Sequence, residues 1–152
     1  MKVAASTPAV FALSALFLLG AQTESILGLW EDRGGSVIRI GHCGKAVCMW
    51  IAAVSPSAPA VTDIHNPHPN LRSRPLCGLR IGDGFHMEDD LHVSGGTLYD
   101  PKSGKTYHGE MTLNGPDLHL RGYVGLPLFG VTEIWKRPEG PVGICKSTGD
   151  DE

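Results

Sequence analysis

The chain has 152 residues, room for one ordinary domain, and a net charge of −3. No basic stripe is present, which excludes an electrostatic footprint for nucleic acid. Hydrophobic residues make up 41%, enough for a packed core, which excludes an intrinsically disordered chain.

The N-terminus reads as a signal peptide over residues 1–21. Lys2 supplies a positive start, residues 9–19 (AVFALSALFLL) form an apolar run, and small residues follow at Gly20 and Ala21. Cleavage is expected after Ala21. The apolar run is too short to remain as a transmembrane helix, and no other stretch could span a bilayer. The first cysteine is Cys43, far from the cleavage site, which disfavours a lipid anchor. The expected location is the periplasm or the exterior. Residues 22–137 form the expected domain and residues 138–152 a polar, Gly-rich tail.

Beyond the signal, no helical periodicity is sustained. Gly (20) and Pro (11) punctuate the chain at short intervals, as an all-β fold requires. Strands are predicted at 27–31, 36–41, 46–54, 79–81, 95–99, 105–113, 117–124 and 131–136. Within 117–124, Leu118, Leu120 and Val124 share one side while His119, Arg121 and Tyr123 share the other. Within 105–113, Met111 and Leu113 oppose His108, Glu110 and Thr112. A period of two marks half-buried antiparallel strands. The segment 46–54 is apolar almost throughout, so both of its faces are expected to be covered. Turns are placed at Arg33-Gly34-Gly35, at Asp100 to Gly104 and at Asn114 to Asp117. The segment 55–75 holds Pro56, Pro59, Pro67, Pro69 and Pro75 and is expected to be a long ordered loop. A sheet of about eight strands hides its edges best by closing into a barrel.

Export makes disulfides the natural state of the four cysteines, which allow three connectivities. The short turn at Gly44 and Lys45 favours Cys43–Cys48, leaving Cys77–Cys145 by elimination.

Four blocks carry a family resemblance. They are Gly28-Leu29-Trp30; the run from Asp63 to Leu79 (DIHNPHPNLRSRPLCGL); the run from Gly96 to Tyr107 (GTLYDPKSGKTY); and Arg121 to Gly125 followed by Gly130 to Trp135. With the spaced pair Cys43 and Cys48, they resemble the bacterial family of exported proteins called domain of unknown function 2147. The resemblance implies a signal peptide and a lipocalin-like antiparallel β-barrel, with no established activity. Gly28-Leu29-Trp30 also looks like the lipocalin G-x-W motif, whose Trp closes one barrel end against a basic residue near the last strand. Arg137 is the first candidate for that partner and Arg121 the second. Structural roles are thereby expected for Gly28, Trp30, Asn66, Pro67, Trp135 and Arg137.

Catalytic and metal motifs fail on spacing. Gly104-Lys105-Thr106 lacks the earlier glycine of a phosphate loop, because Tyr99 stands there. His65 and His68 share the long loop and His42 abuts Cys43, but zinc needs three or four convergent ligands. Glu88-Asp89-Asp90 lacks calcium-loop spacing and is expected to be a solvated loop. No Gly-x-Ser-x-Gly elbow occurs. The expectation is a non-enzymatic protein with no cofactor and no metal site.

The best functional candidate is the loop around Asp63 to Pro75. Arg72 and Arg74, one residue apart, would project the same way from an extended segment and suit an anionic group, or else pair with Asp63, Asp100 or free carbonyls. Tyr99, Asp100, Tyr107, Arg121 and Tyr123 complete the candidate ligand-contacting set. The expected ligand is small and apolar or amphipathic, held by inward residues such as Met111, Leu113, Leu118 and Leu120. The alternative is an envelope interaction protein with a filled barrel, and a third, less favoured reading is a hydrolase in the long loop, which would need Asp100, His65 or His68 and a serine brought together. Oligomeric state is not legible in the sequence.

Overall fold

The structure, a computed structural model, describes residues 24–145; the expected signal segment and the end of the polar tail lie outside them. Eight strands follow one another around an antiparallel meander: β1 (Gly28–Glu31), β2 (Val37–Cys43), β3 (Ala46–Ala53), β4 (Arg80–Asp89), β5 (His92–Asp100), β6 (Lys105–Asn114), β7 (Asp117–Tyr123) and β8 (Val131–Trp135). A bridge between Glu31 and Lys136 joins the first strand to the last and nearly closes the barrel. Its two backbone bonds, Glu31 N–H to Lys136 O and the reverse, span 2.7 and 3.2 Å.

Six of the eight strands lie within a residue or two of their expected limits. The other two, β4 and β5, are much longer than the short segments expected at 79–81 and 95–99. Glycines at positive φ explain the difference. Gly84 (φ +69) and Gly95 (φ +74) sit where the ladders to β3 and β6 slip. Each extra residue switches the side-chain phase, so Gly82 and Phe85 are both buried, as are Val93 and Gly96. A strict two-residue period breaks at both points. The acidic run is corrected accordingly: Glu88 and Asp89 finish β4, and only Asp90 lies in the turn.

The alternating apolar residues converge on one interior. Trp30, Ile40, Met49, Phe85, Met111 and Leu118 are at most 2% exposed. Phe85 fits because Gly96 and Gly109 face it; a Cβ built on Gly96 would lie 2.3 Å from its ring. The outer face of β3 is covered as expected. Arg39 and Arg80 lie over the Trp50 ring, and Cys145 N–H donates to Ala52 O at 2.6 Å. Two disulfides, Cys43–Cys48 and Cys77–Cys145, are formed; the first bridges β2 and β3 beside their turn and the second ties the tail to the β3–β4 connection.

One end of the barrel is sealed by the G-x-W element. Trp30 donates its indole N–H to Ile26 O at 2.7 Å, and the Arg137 guanidinium lies 3.7 Å from the Trp30 ring centroid. Arg137 also donates to Leu27 O, Leu29 O and Ser25 O at 3.2, 3.1 and 2.5 Å. Partial burial lowers the pKa of this guanidinium from its ordinary value. Gly28 is required here twice over, because its φ is +117° and a Cβ would stand 2.8 Å from Arg137 Nη1. The turns β2–β3, β4–β5 and β6–β7 share this end. At the other end lie the connections β1–β2, β3–β4, β5–β6 and β7–β8, which surround an opening.

Candidate binding site

The open end holds a cavity of ≈ 470 Å³. Its walls are apolar: Ile38 and Ile51 from neighbouring strands, Leu98 from β5, Leu120 from β7 and Trp135 from β8. Polar groups concentrate at the rim, where Asp32, His65, Asp100, Lys102 and Tyr107 contribute to the lining. Apolar walls with a few polar groups are the composition of small-molecule sites.

Of the four inward residues expected to hold a ligand, only Leu120 lines this cavity. Met111, Leu113 and Leu118 point inward too, but they belong to the packed half beneath it. The side-chain pattern identifies the inner face; depth along the strand decides which inner residues meet open space. Val124, expected on the same side, lies beyond the end of β7 and is 72% exposed.

The long β3–β4 connection forms a flap over the mouth, folded on itself as a narrow hairpin. Asp63 N–H donates to Arg74 O at 3.0 Å, Leu76 N–H donates to Val61 O at 2.9 Å, and Thr62 pairs with Pro75. Its tip contains only a short 3-10 turn, Pro69–Leu71. A buried carboxylate pins the flap to the barrel. Asp63 is fully buried and accepts from Tyr99 Oη (2.6 Å), Asn66 Nδ2 (2.7 Å), Arg74 Nε (2.8 Å) and Arg74 Nη2 (2.8 Å). Burial pushes the carboxyl's pKa up, but the hydrogen bonds from Tyr99, Asn66 and Arg74 outweigh it and leave the group below its ordinary value. The same burial, with the Asp63 charge, pushes the Tyr99 hydroxyl up to about 12. Asn66, 3% exposed, also accepts from His68 N–H at 2.9 Å through its Oδ1. Pro67, exposed beside it, separates Asn66 from His68 in the same turn.

The pairing of Arg72 and Arg74 side by side does not occur. Arg74 engages Asp63, and Arg72 Nε donates to Asn66 O at 2.8 Å. The 3-10 turn breaks the extended geometry that would have aligned them. Both arginines serve the flap, the second of the two readings the sequence offers. Tyr99, Asp100 and Tyr107 do reach the cavity lining. Arg121 and Tyr123 do not: Arg121 donates to Pro127 O, Leu128 O and Thr132 Oγ1, and Tyr123 packs on His108 with ring centroids 5.8 Å apart.

The rim is strapped at a second place. Asp32 caps its own turn by accepting from Gly34 and Ser36 N–H, both at 2.8 Å, and Lys102 Nζ reaches it at 3.4 Å from the β5–β6 turn. Asp100 organises that turn in the same way, accepting from Lys102 N–H at 3.0 Å and from Ser103 Oγ at 2.6 Å. The Ser103 hydroxyl therefore bonds the carboxylate directly, with no histidine between them. Gly104 makes the turn fit the flap: its φ is +69° and a Cβ would lie 1.9 Å from His65 O. Cys43, Cys48 and Asp83 cluster on the barrel wall, but the two sulfurs are bonded to each other and cannot ligate a metal. Sequence reasoning missed Lys102 and Asp32 as rim groups, although Lys102 lies in a turn it had placed and Asp32 directly precedes another.

No helix among the described residues is long and apolar enough to cross a membrane. No curated protein matches the chain. Among solved structures, the chain is similar to Protein HP1028 from the human pathogen Helicobacter pylori, which is described as belonging to the lipocalin family. The two share 22% identity over 77% of this chain and 85% of that one, with a TM-score of 0.69. At that identity the likeness shows the lipocalin fold. Residues 28–137 match the family model described as "Uncharacterized protein conserved in bacteria (DUF2147)", and the chain belongs to that family.

Proposed function

We propose that this protein is an exported, non-catalytic carrier that holds a small apolar or amphipathic molecule in the open half of its barrel. The observation that carries the reading is the ≈ 470 Å³ cavity, apolar in its walls and polar at its rim. Such a shape accepts an apolar body against Leu98, Leu120 and Trp135 and leaves a polar head beside Lys102 and His65. The two disulfides fit an oxidising compartment, in line with an N-terminal export signal and residence in the periplasm or outside the cell. No cofactor is part of this reading.

The test is a thermal-shift and fluorescence titration with N-phenyl-1-naphthylamine and a chain-length series of fatty acids and lysophospholipids. A second chain carries Ala60→Trp, which places an indole in the cavity lining from the flap and leaves the barrel strands untouched. Saturable binding by the native chain and its loss in Ala60→Trp are expected. Binding to neither chain, or equal binding to both, removes the carrier reading.

A further inference from the structure

The wall of the open half is apolar except at one strand. Along β8 the inward positions are Val131, Glu133 and Trp135, so a carboxylate stands where the alternation calls for an apolar side chain. The ladder sets Glu133 opposite Leu120. That level lies between Gly122 and Val131 at the mouth and Leu118 and Trp135 in the packed half. Glu133 is therefore inside the opening, below its lip.

A neighbour, and no cation, holds this carboxylate in place. Trp135 donates its indole N–H to Glu133 Oε2 at 3.0 Å. Among the described residues, no lysine, arginine or histidine forms an ion pair with Glu133. The other charged groups of the lining are already engaged. Asp32 caps its own turn and holds Lys102, and Asp100 organises the β5–β6 turn. Among the described residues that line the cavity, Lys102 is the one lysine or arginine, against the carboxylates of Asp32, Asp100 and Glu133. With Lys102 neutralised by Asp32, Glu133 is the charge left for a guest to meet.

While the cavity is open, water solvates the exposed Glu133 carboxylate. A guest that fills the space displaces that water. A carboxylate left dry without a partner carries a large desolvation penalty, which opposes binding of a wholly apolar guest. A carboxylate head adds like-charge repulsion to the same penalty. A protonated amine replaces the lost water with a charge-assisted hydrogen bond. Tyr107 and Trp135 line the same space, and aromatic faces attract cations.

We propose that the cavity selects guests whose polar head is a protonated amine, with Glu133 as the residue that receives it. The inference rests on the carrier reading above and narrows its guest from an amphipathic molecule to a cationic one.

The test is calorimetric titration with three ligands of one chain length, decylamine, decanol and decanoate, at about pH 7, where the amine is protonated and the acid ionised. The native chain is titrated beside Glu133→Gln, which keeps an acceptor oxygen for the Trp135 indole, and beside Ala60→Trp, which fills the cavity. Equal melting temperatures of the native chain and Glu133→Gln check that the fold is kept. Decylamine is expected to bind the native chain at least about tenfold more tightly than decanoate, and Glu133→Gln is expected to lower that ratio by about tenfold. Decanoate or decanol binding as tightly as decylamine overturns this inference and leaves the carrier reading standing. Binding of none of the three removes both. Decylamine that binds Ala60→Trp as well as the native chain is held on the acidic surface outside the cavity, and overturns the proposal. An unchanged ratio in Glu133→Gln also overturns it. If that variant then self-associates in sedimentation, Glu133 is assigned instead to guarding the β8 edge against pairing.

Discussion

Replacing Asp63 by asparagine keeps the side chain's shape and removes its charge, which makes it a direct probe of the flap's anchor. In the native chain the carboxylate accepts four hydrogen bonds, two of them from Arg74. The amide of an asparagine at this position offers one acceptor oxygen, so Arg74 keeps its positive charge without a counterion. Breaking a wholly buried ion pair costs about 3–5 kcal/mol. The Arg74 side chain is 35% exposed, so water takes up part of the loss, and about 2 kcal/mol is expected. The pH dependence is more diagnostic than the size. Asp63 titrates below its ordinary 3.8 in the folded chain, so the unfolded chain binds more protons as the pH falls below about 4. The contribution of Asp63 is therefore complete above its unfolded pKa and disappears as the pH falls through its folded one. Asp89, held low by its hydrogen bond to His92, is common to both chains and cancels in the difference. Urea unfolding, followed by tryptophan fluorescence at pH values from about 7 downward, gives the stability difference directly. A gap that is constant to about pH 4 and then narrows is expected. A gap that stays constant at all acid pH values would refute the ionised, multiply bonded carboxylate on which the anchor depends.

At the alkaline end the sign reverses. Tyr99 is raised from 10.0 to about 12, so the stability it contributes is complete below about pH 10 and is lost as the pH rises through about 12. Ultraviolet titration of the three tyrosines should show a late-ionising component that Tyr99→Phe removes. At the sealed end, Arg137→Ala removes the contact over Trp30 and three carbonyl bonds; a loss of about 2 kcal/mol and a red-shifted Trp30 emission are expected, read by urea unfolding and fluorescence. Gly28→Ala meets both a φ of +117° and a 2.8 Å clash with Arg137, and should lower stability by at least about 1 kcal/mol in the same assay. The disulfides should differ: opening Cys77–Cys145, with a separation of 68, is expected to cost about 4 kcal/mol by loop entropy, against about 2 kcal/mol for Cys43–Cys48, with a separation of 5. Thermal unfolding of the two serine double variants measures the contrast.

What the sequence could reveal followed from local geometry. Strand alternation set Leu118 and Leu120 against Arg121 and Tyr123, and the last two do lie outside the barrel. Their place among candidate ligand contacts rested on their being polar groups able to line a rim, and it conflicted with that alternation. The G-x-W element and its candidate partner Arg137 were legible through the lipocalin resemblance, and in the closed barrel the guanidinium lies over the Trp30 ring. The β4 and β5 boundaries were not, because a single residue in left-handed conformation at Gly84 or Gly95 shifts the period without changing composition. The division between filled and open halves was also hidden. Leu118 and Leu120 are two residues apart on one face, yet only Leu120 meets the cavity, because Leu118 is fully buried in the packed core. Arg72 and Arg74 illustrate the same limit. Their spacing implies a shared side only in an extended chain, and a turn of three residues undoes it.

The central claim is that the open half of the barrel is a compartment that takes a guest. Native mass spectrometry of the protein purified from its own cell envelope tests this most directly. The expected result is a discrete non-covalent adduct on the native chain that is absent from Ala60→Trp purified in parallel. Identical bare masses for the two chains, with no adduct regained after incubation with an envelope lipid extract, would contradict it.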